Sequence, residues 1–223
     1  MKLISLVAGR KHGPVKAELS DGSSLEFTAE YLAYGGIEPE VSPPVFTVPE
    51  TGRDLSSGEE EAFRFAADCY RAEKVALRLI ARAEQYSFGL ISKLERRGFS
   101  DVTVKTVVSC LLNRNLLNDR RYAELWLRTR LGSGKAFSPR WLLISLGKKG
   151  IDKDSSQKAL KEMLDPETEN ALLERFLKKN RRKNPGLSGK GGRNSEKSLL
   201  KYEGFSFDVL NSYFDDLKIY ENQ

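Results

Sequence analysis

The sequence predicts a mainly α-helical protein of three tandem three-helix repeats, preceded by a small β-rich N-terminal unit. Three observations carry that prediction. A helix-ending signature with a fixed glycine occurs three times, at offsets of 52 and 54 residues. Alternation of apolar and polar residues, the mark of a half-buried strand, is confined to the chain before Phe27. The 223 residues are 39% hydrophobic and 30% charged, which supplies a sizeable core and excludes a disordered chain.

Taken in order, residues 1–50 read as the β-rich unit and a linker. Leu3–Val7, Val15–Leu19 and Ser24–Phe27 are the strand candidates, because Val15, Ala17 and Leu19 alternate with Lys16 and Glu18. Turn chemistry separates them at Arg10–Pro14, which contains His12, and at Ser20–Ser23. Pro39, Pro43, Pro44 and Pro49 then mark an extended linker that no helix continues through.

A long helix is expected from Ser57 to about Ala83. Ser57 and Glu60 have capping-box spacing, and Phe63, Ala66, Ala67, Tyr70, Lys74, Leu77 and Ala81 form the expected buried stripe. It leads the first repeat, 57–118; the second covers 119–164 and the third 165–220. The shared signature is Leu94–Gly98–Phe99, Leu146–Gly150–Ile151 and Leu200–Gly204–Phe205. In each, a Leu anchors the last helical turn, Gly takes the left-handed position after it, and the next apolar residue folds back. Ser100 or Asp101, Asp152 or Asp154, and Ser206 or Asp208 then offer caps for the next helix. A glycine-rich insertion near 184–194, with Pro, Ser and the basic residues Lys190 and Arg193, reads as a mobile loop.

Enzyme chemistry finds no footing. His12 is the only histidine, and Cys69 and Cys110 lie far apart without metal-ligand spacing, so no metal, cofactor or catalytic residue is expected. Gly132-Ser133-Gly134-Lys135 resembles the end of a phosphate-binding loop but has Thr129 where the leading Gly belongs and Ala136 after the Lys. It reads as a basic loop between helices. No run reaches the roughly 18 to 20 apolar residues of a membrane span, so a cytoplasmic protein in a reducing compartment is expected.

Charge is sorted along the chain. Asp21–Tyr70 carries eleven acidic and two basic residues, Arg71–Leu164 twenty basic and nine acidic, and Arg175–Lys201 ten basic and one acidic. Such a field favours a polyanion or an acidic protein surface. The candidate binding residues are Arg96, Arg97, Lys148 and Lys149 beside the repeat glycines, and Arg120, Arg121, Arg128 and Arg130 on the helix opening repeat two. Lys178, Lys179, Arg181, Arg182 and Lys183 end the helix opening repeat three. The four beside the glycines have two readings, a stripe along stacked repeats or cations that favour the negative helix end. Trp126 and Trp141 share helical spacing with Tyr122, Leu127, Leu142 and Ile144, so core packing is expected of them rather than base stacking.

Over residues 71–219 the chain resembles the RecX family, regulators of the RecA recombinase. The resemblance runs through Ala76–Arg82, Leu90–Leu94–Gly98–Phe99, Leu116–Ala123 and Leu142–Leu146–Gly150–Ile151, and more weakly through Leu200–Phe205. Gly89 departs from it, standing where the family places an acidic residue. The resemblance implies a small, elongated, curved, non-enzymatic monomer acting in DNA repair, homologous recombination and the SOS response. It would bind the groove of the RecA–DNA filament, restrain filament extension, ATP hydrolysis and strand exchange, and touch single- or double-stranded DNA weakly without sequence preference. Two other readings stay open. A helix-turn-helix DNA reader would need one helix rich in base-reading side chains, and a helical scaffold would serve another acidic partner.

Overall fold

The computed structural model describes residues 2–8, 13–35, 52, 54–185 and 192–221. His12, the four linker prolines and most of the basic insertion lie outside them. The chain divides into two compact units, Met1–Leu117 and Asn118–Gln223.

In the first unit β1 (Leu3–Ala8), β2 (Val15–Leu19) and β3 (Ser24–Phe27) form an antiparallel sheet in the order β1-β2-β3. Leu3 pairs with Leu19, and Val15 with Phe27, so Leu3, Val15, Ala17, Leu19 and Phe27 are all buried. Helix α1 (Ala29–Tyr34) follows directly and buries Tyr31 and Leu32. Sequence reading treats this stretch as β-rich and gives no helix there, because six residues show less than two turns of periodicity.

Helix α2 (Ser57–Arg82) packs on β3, on α1 and on α4 (Asp101–Asn113). Its capping box is Ser56 with Glu59, one residue earlier than expected: Glu59 N–H donates to Ser56 Oγ, and Ser56 N–H donates to Glu59. Leu55, buried in the same core, anchors the preceding residue and so selects the first of the two serines. The buried face also differs from the expected stripe. It keeps Phe63, Ala66 and Ala67 of that stripe but continues through Cys69, Ala72, Glu73 and Ala76, with Ala62 also buried, leaving Leu77 exposed. Small side chains let α2 lie close against its neighbours, and Phe63 meets Phe27 edge-on at 5.2 Å. Buried Glu73 accepts from Arg114 just past α4, which also lies 3.9 Å from Glu30 of α1. Cys69 and Cys110 are buried here as free thiols, and burial pushes the Cys69 thiol up to about 12.

Helix α3 (Ser87–Glu95) opens at Tyr86, whose ring covers Gly89; a Cβ there would lie 2.5 Å from Tyr86 Cζ. That contact accounts for a glycine where the resemblance leads one to expect a carboxylate.

The second unit holds α5 (Asp119–Leu131), α6 (Pro139–Gly147), α7 (Lys153–Met163), α8 (Pro166–Lys183), α9 (Arg193–Tyr202) and α10 (Phe207–Glu221) around one core. Because α9 begins at Arg193, the expected loop at 184–194 is shorter at its C-terminal end. The nine helices α2–α10 fall into threes with a common packing scheme. The third helix of each set, α4, α7 or α10, packs on both the first and the second.

The glycine turns recur with matching geometry. Gly98, Gly150 and Gly204 have φ of +87°, +78° and +83°. The following N–H reaches back across the turn each time: Phe99 to the Leu94 carbonyl (3.4 Å), Ile151 to Leu146 (3.3 Å) and Phe205 to Leu200 (3.2 Å). Ser100, Asp152 and Ser206 then cap α4, α7 and α10 by accepting from Thr103, Ser155 and Val209. A fourth turn of this kind ends α4. Leu116 N–H donates to the Leu111 carbonyl at 3.0 Å, with Asn115 in the left-handed position at φ +54°.

Candidate functional site

The candidate cations separate into those with structural partners and those that face outward. Arg96 and Arg97 are exposed at the end of α3 and donate to the carbonyls of their own helix, Arg96 to Ser92 at 3.1 Å and Arg97 to Lys93 at 2.6 Å. The Ser92 carbonyl also accepts from the Arg96 N–H, while the Arg97 N–H goes to Leu94 and leaves the Lys93 carbonyl to its side chain; both cations serve the negative helix end, the local of the two expected roles. Lys148 occupies the equivalent place after α6 and is exposed. Lys149 lies with its Nζ 5.6 Å from the Tyr122 ring centre and 5.9 Å from that of Trp126.

On α5 the four arginines do different things. Arg120 donates to Glu124 (2.9 Å) and to both carboxylate oxygens of Glu162 on α7 (2.8 and 2.9 Å), and these contacts hold its guanidinium above its ordinary pKa. Arg121 is exposed. Arg130 stacks over Trp126 at 5.2 Å. Arg128 faces an open cleft of about 460 Å³ with Leu131, Met163, Thr168 and Arg175.

Helix α8 concentrates the remaining charge. Arg181 is structural: it grips the buried carboxylate of Glu196 on α9 and donates to the Tyr213 hydroxyl at 2.7 Å. Lys178, Lys179, Arg182 and Lys183 instead line one wall of a second open cleft, of about 620 Å³, together with Arg175. Gly134 and Ala136 of the loop between α5 and α6 form the opposite wall. The helix reads this way because Leu172, Leu173 and Leu177 are buried, which turns the cationic positions outward at spacings of three and four.

Sequence reading missed Arg175, although it stands three residues before Lys178 and four before Lys179. It also mistook Trp141, whereas Trp126 is half-buried and packs against the core of the second unit as expected. Trp141 is 43% exposed and Ile144 47%, so the expected core packing does not hold for them. Leu142 and Leu146 already fill the inward face of the short helix α6. Phe137 stacks on Trp141 at 4.5 Å with 16° between the rings, and Trp126 lies 6.2 Å from Trp141 at 23°, forming a three-ring ladder.

Gly132–Lys135 is a loop between α5 and α6 with no strand before it: Gly132 caps α5 and Gly134 has φ +69°. Among the described residues no cluster of three or more His, Cys, Asp or Glu is placed to hold a metal ion, and no helix is long and apolar enough to cross a membrane.

No protein-family model matches the chain. It is 38% identical over 122 residues to regulatory protein RecX of Treponema pallidum (strain Nichols), covering 55% of this chain and 74% of that protein. Regulatory protein RecX of Pseudomonas putida (strain GB-1) is 30% identical over 139 residues, 61% of this chain and 85% of that protein. The fold resembles a crystal structure of regulatory protein RecX with a TM-score of 0.64 at 19% identity, covering 96% of this chain and 98% of the other. It also resembles RecX from Lactobacillus salivarius, with a TM-score of 0.52 at 22% identity over 68% of this chain and 97% of the other. With sequence identity over most of the length of such relatives and the same fold, the chain belongs to the RecX family of regulatory proteins.

Proposed function

We propose that this protein is a non-enzymatic modulator of the RecA recombinase. It binds the RecA–DNA filament and restrains its extension, its ATP hydrolysis and strand exchange. The observation that carries this reading is the likeness to regulatory proteins of the RecX family across both units. The outward-facing cations of the second unit support it, since a nucleoprotein fibre presents repeated negative charge that such a surface attracts. The protein acts as a cytoplasmic monomer, and successive repeats touching neighbouring subunits add their affinities.

The test is single-stranded-DNA-dependent ATP hydrolysis by RecA with the protein added. Turnover falls as the protein is titrated in. Unchanged turnover at saturating amounts, with filament binding absent in a sedimentation assay, removes the reading.

A further inference from the structure

Helix α6 buries Pro139, Leu142 and Leu146 and turns Arg140, Trp141, Ile144 and Gly147 outward, with Lys148 exposed just past its end. Arg140, Ile144 and Gly147 follow at spacings of four and three, so they share one line along the helix, with Trp141 and Lys148 beside it. Trp141 and Ile144 thus form one exposed apolar patch rather than two scattered side chains, and such a patch marks an interaction surface. The patch is held rigid. Phe137 and Trp126 lie near-parallel against Trp141, whose N–H donates to Ser138 Oγ at 3.1 Å. Ser138 Oγ–H in turn donates to the Glu203 carboxylate. Arg140 N–H donates to the Glu203 carbonyl at 2.9 Å, and its guanidinium lies 4.1 Å from the Tyr202 ring centre. Anchors ordered in advance lose little entropy on docking, and Trp, Tyr and Arg are the side chains that dominate protein interfaces.

Gly147 is a second, independent observation. Its backbone is helical rather than left-handed, and a Cβ added there meets no atom within 4 Å. Neither a turn nor a close approach inside the chain requires glycine, which weakens a helix. What it leaves is a notch in the line through Arg140 and Ile144, where another backbone can come close.

Charge selects the occupant. From Leu125 to Ile151 the chain has no acidic residue and carries Arg128, Arg130, Lys135, Arg140, Lys148 and Lys149. A second copy of this chain would set the same cations against them. Two rings already lie against Trp141, and Ile144 with the notch suits aliphatic packing rather than base stacking. We propose that the outer face of α6 docks an acidic amphipathic helix of a partner protein. Its apolar stripe covers Trp141 and Ile144, its backbone crosses at Gly147, and its carboxylates meet Arg140 and Lys148. The proposal rests on this face alone and not on the reading above.

The test uses the full chain and a fluorescein-labelled synthetic helix of about five turns, with leucines on one stripe and glutamates elsewhere, followed by anisotropy. The parent binds it, and the peptide shifts tryptophan emission. A scrambled peptide of the same composition binds at least about tenfold more weakly, and one with lysine for every glutamate does not bind. Gly147→Leu fills the notch, leaves the urea unfolding midpoint at or above the parent's, and weakens binding about tenfold. Trp141→Ala with Ile144→Ser weakens it at least as much. Binding by Gly147→Leu equal to the parent's overturns the proposal. So does equal binding of the scrambled peptide, which leaves charge alone as the cause. Displacement of the peptide by oligothymidylate but not by polyglutamate at equal charge concentration assigns the face to nucleic acid and likewise overturns it.

Discussion

Arg181 of α8 holds Glu196 of α9 by two parallel hydrogen bonds, Nε to Oε1 at 2.8 Å and Nη2 to Oε2 at 2.9 Å, with the carboxylate side chain only 3% exposed. Burial of that carboxylate makes the pair a requirement of the fold in the second unit.

Arg181→Met leaves Glu196 buried without its partner and lowers stability by about 3 kcal/mol. Urea unfolding followed by tryptophan emission measures it. Replacing both residues, Arg181→Met with Glu196→Gln, recovers part of the loss, because no uncompensated charge then remains. A double variant no more stable than the single one contradicts this account.

The glycine turns give a graded series. Gly98 has open space around its Cα hydrogens, so Gly98→Ala carries only the conformational cost of φ +87°, about 1–2 kcal/mol. Gly98→Asn costs less, since Asn115 adopts the left-handed region at the end of α4. Gly204→Ala additionally sets a methyl 3.5 Å from the Arg140 nitrogen, an ordinary contact, so its loss stays close to that of Gly98→Ala. Unfolding midpoints of the three variants check the order.

Acid sensitivity has two named sources. The hydroxyl and N–H of Ser155 hold Asp152 below its ordinary 3.8, and the N–H and hydroxyl of Thr168 do the same for Asp165. A carboxylate depressed on folding stabilises fully above its unfolded pKa, and the contribution disappears as pH falls through the folded value. Asp152→Asn with Asp165→Asn keeps a cap acceptor but removes the titration. The double variant therefore loses less stability than the parent between neutral pH and pH values below 3.8, measured by urea midpoints across that range.

Neighbouring lysines after α6 separate a structural cation from an exposed one. Lys149→Ala removes the contacts with Tyr122 and Trp126, costs about 0.5–1 kcal/mol and shifts tryptophan emission. Lys148→Ala changes stability by less than about 0.5 kcal/mol and leaves the emission alone. Equal effects of the two substitutions contradict the assignment.

The repeat turns are legible in the sequence because Leu–Gly–apolar spacing encodes a backbone conformation that few other residues adopt. The strands are legible for a related reason: period-two alternation places Val15, Ala17 and Leu19 on one face whatever lies beyond it. The buried side of α2 is harder to read, since alanines and a cysteine carry close packing that hydrophobic size alone does not reveal. Charge sign and density are written in the sequence, but partnership is not. Nothing local marks Arg181 as satisfied by Glu196 fifteen residues on while Arg182 beside it stays exposed. Trp141 is misjudged for lack of a tertiary clue: on a nine-residue helix whose inner face two leucines fill, the large ring is left outside.

Because both cysteines sit in the interior of the first unit and both tryptophans in the second, the chain carries its own pair of spectroscopically orthogonal reporters. Thiol labelling times the opening of residues 1–117, and indole emission times that of residues 118–223, so each half's melting is observable in one unmodified sample.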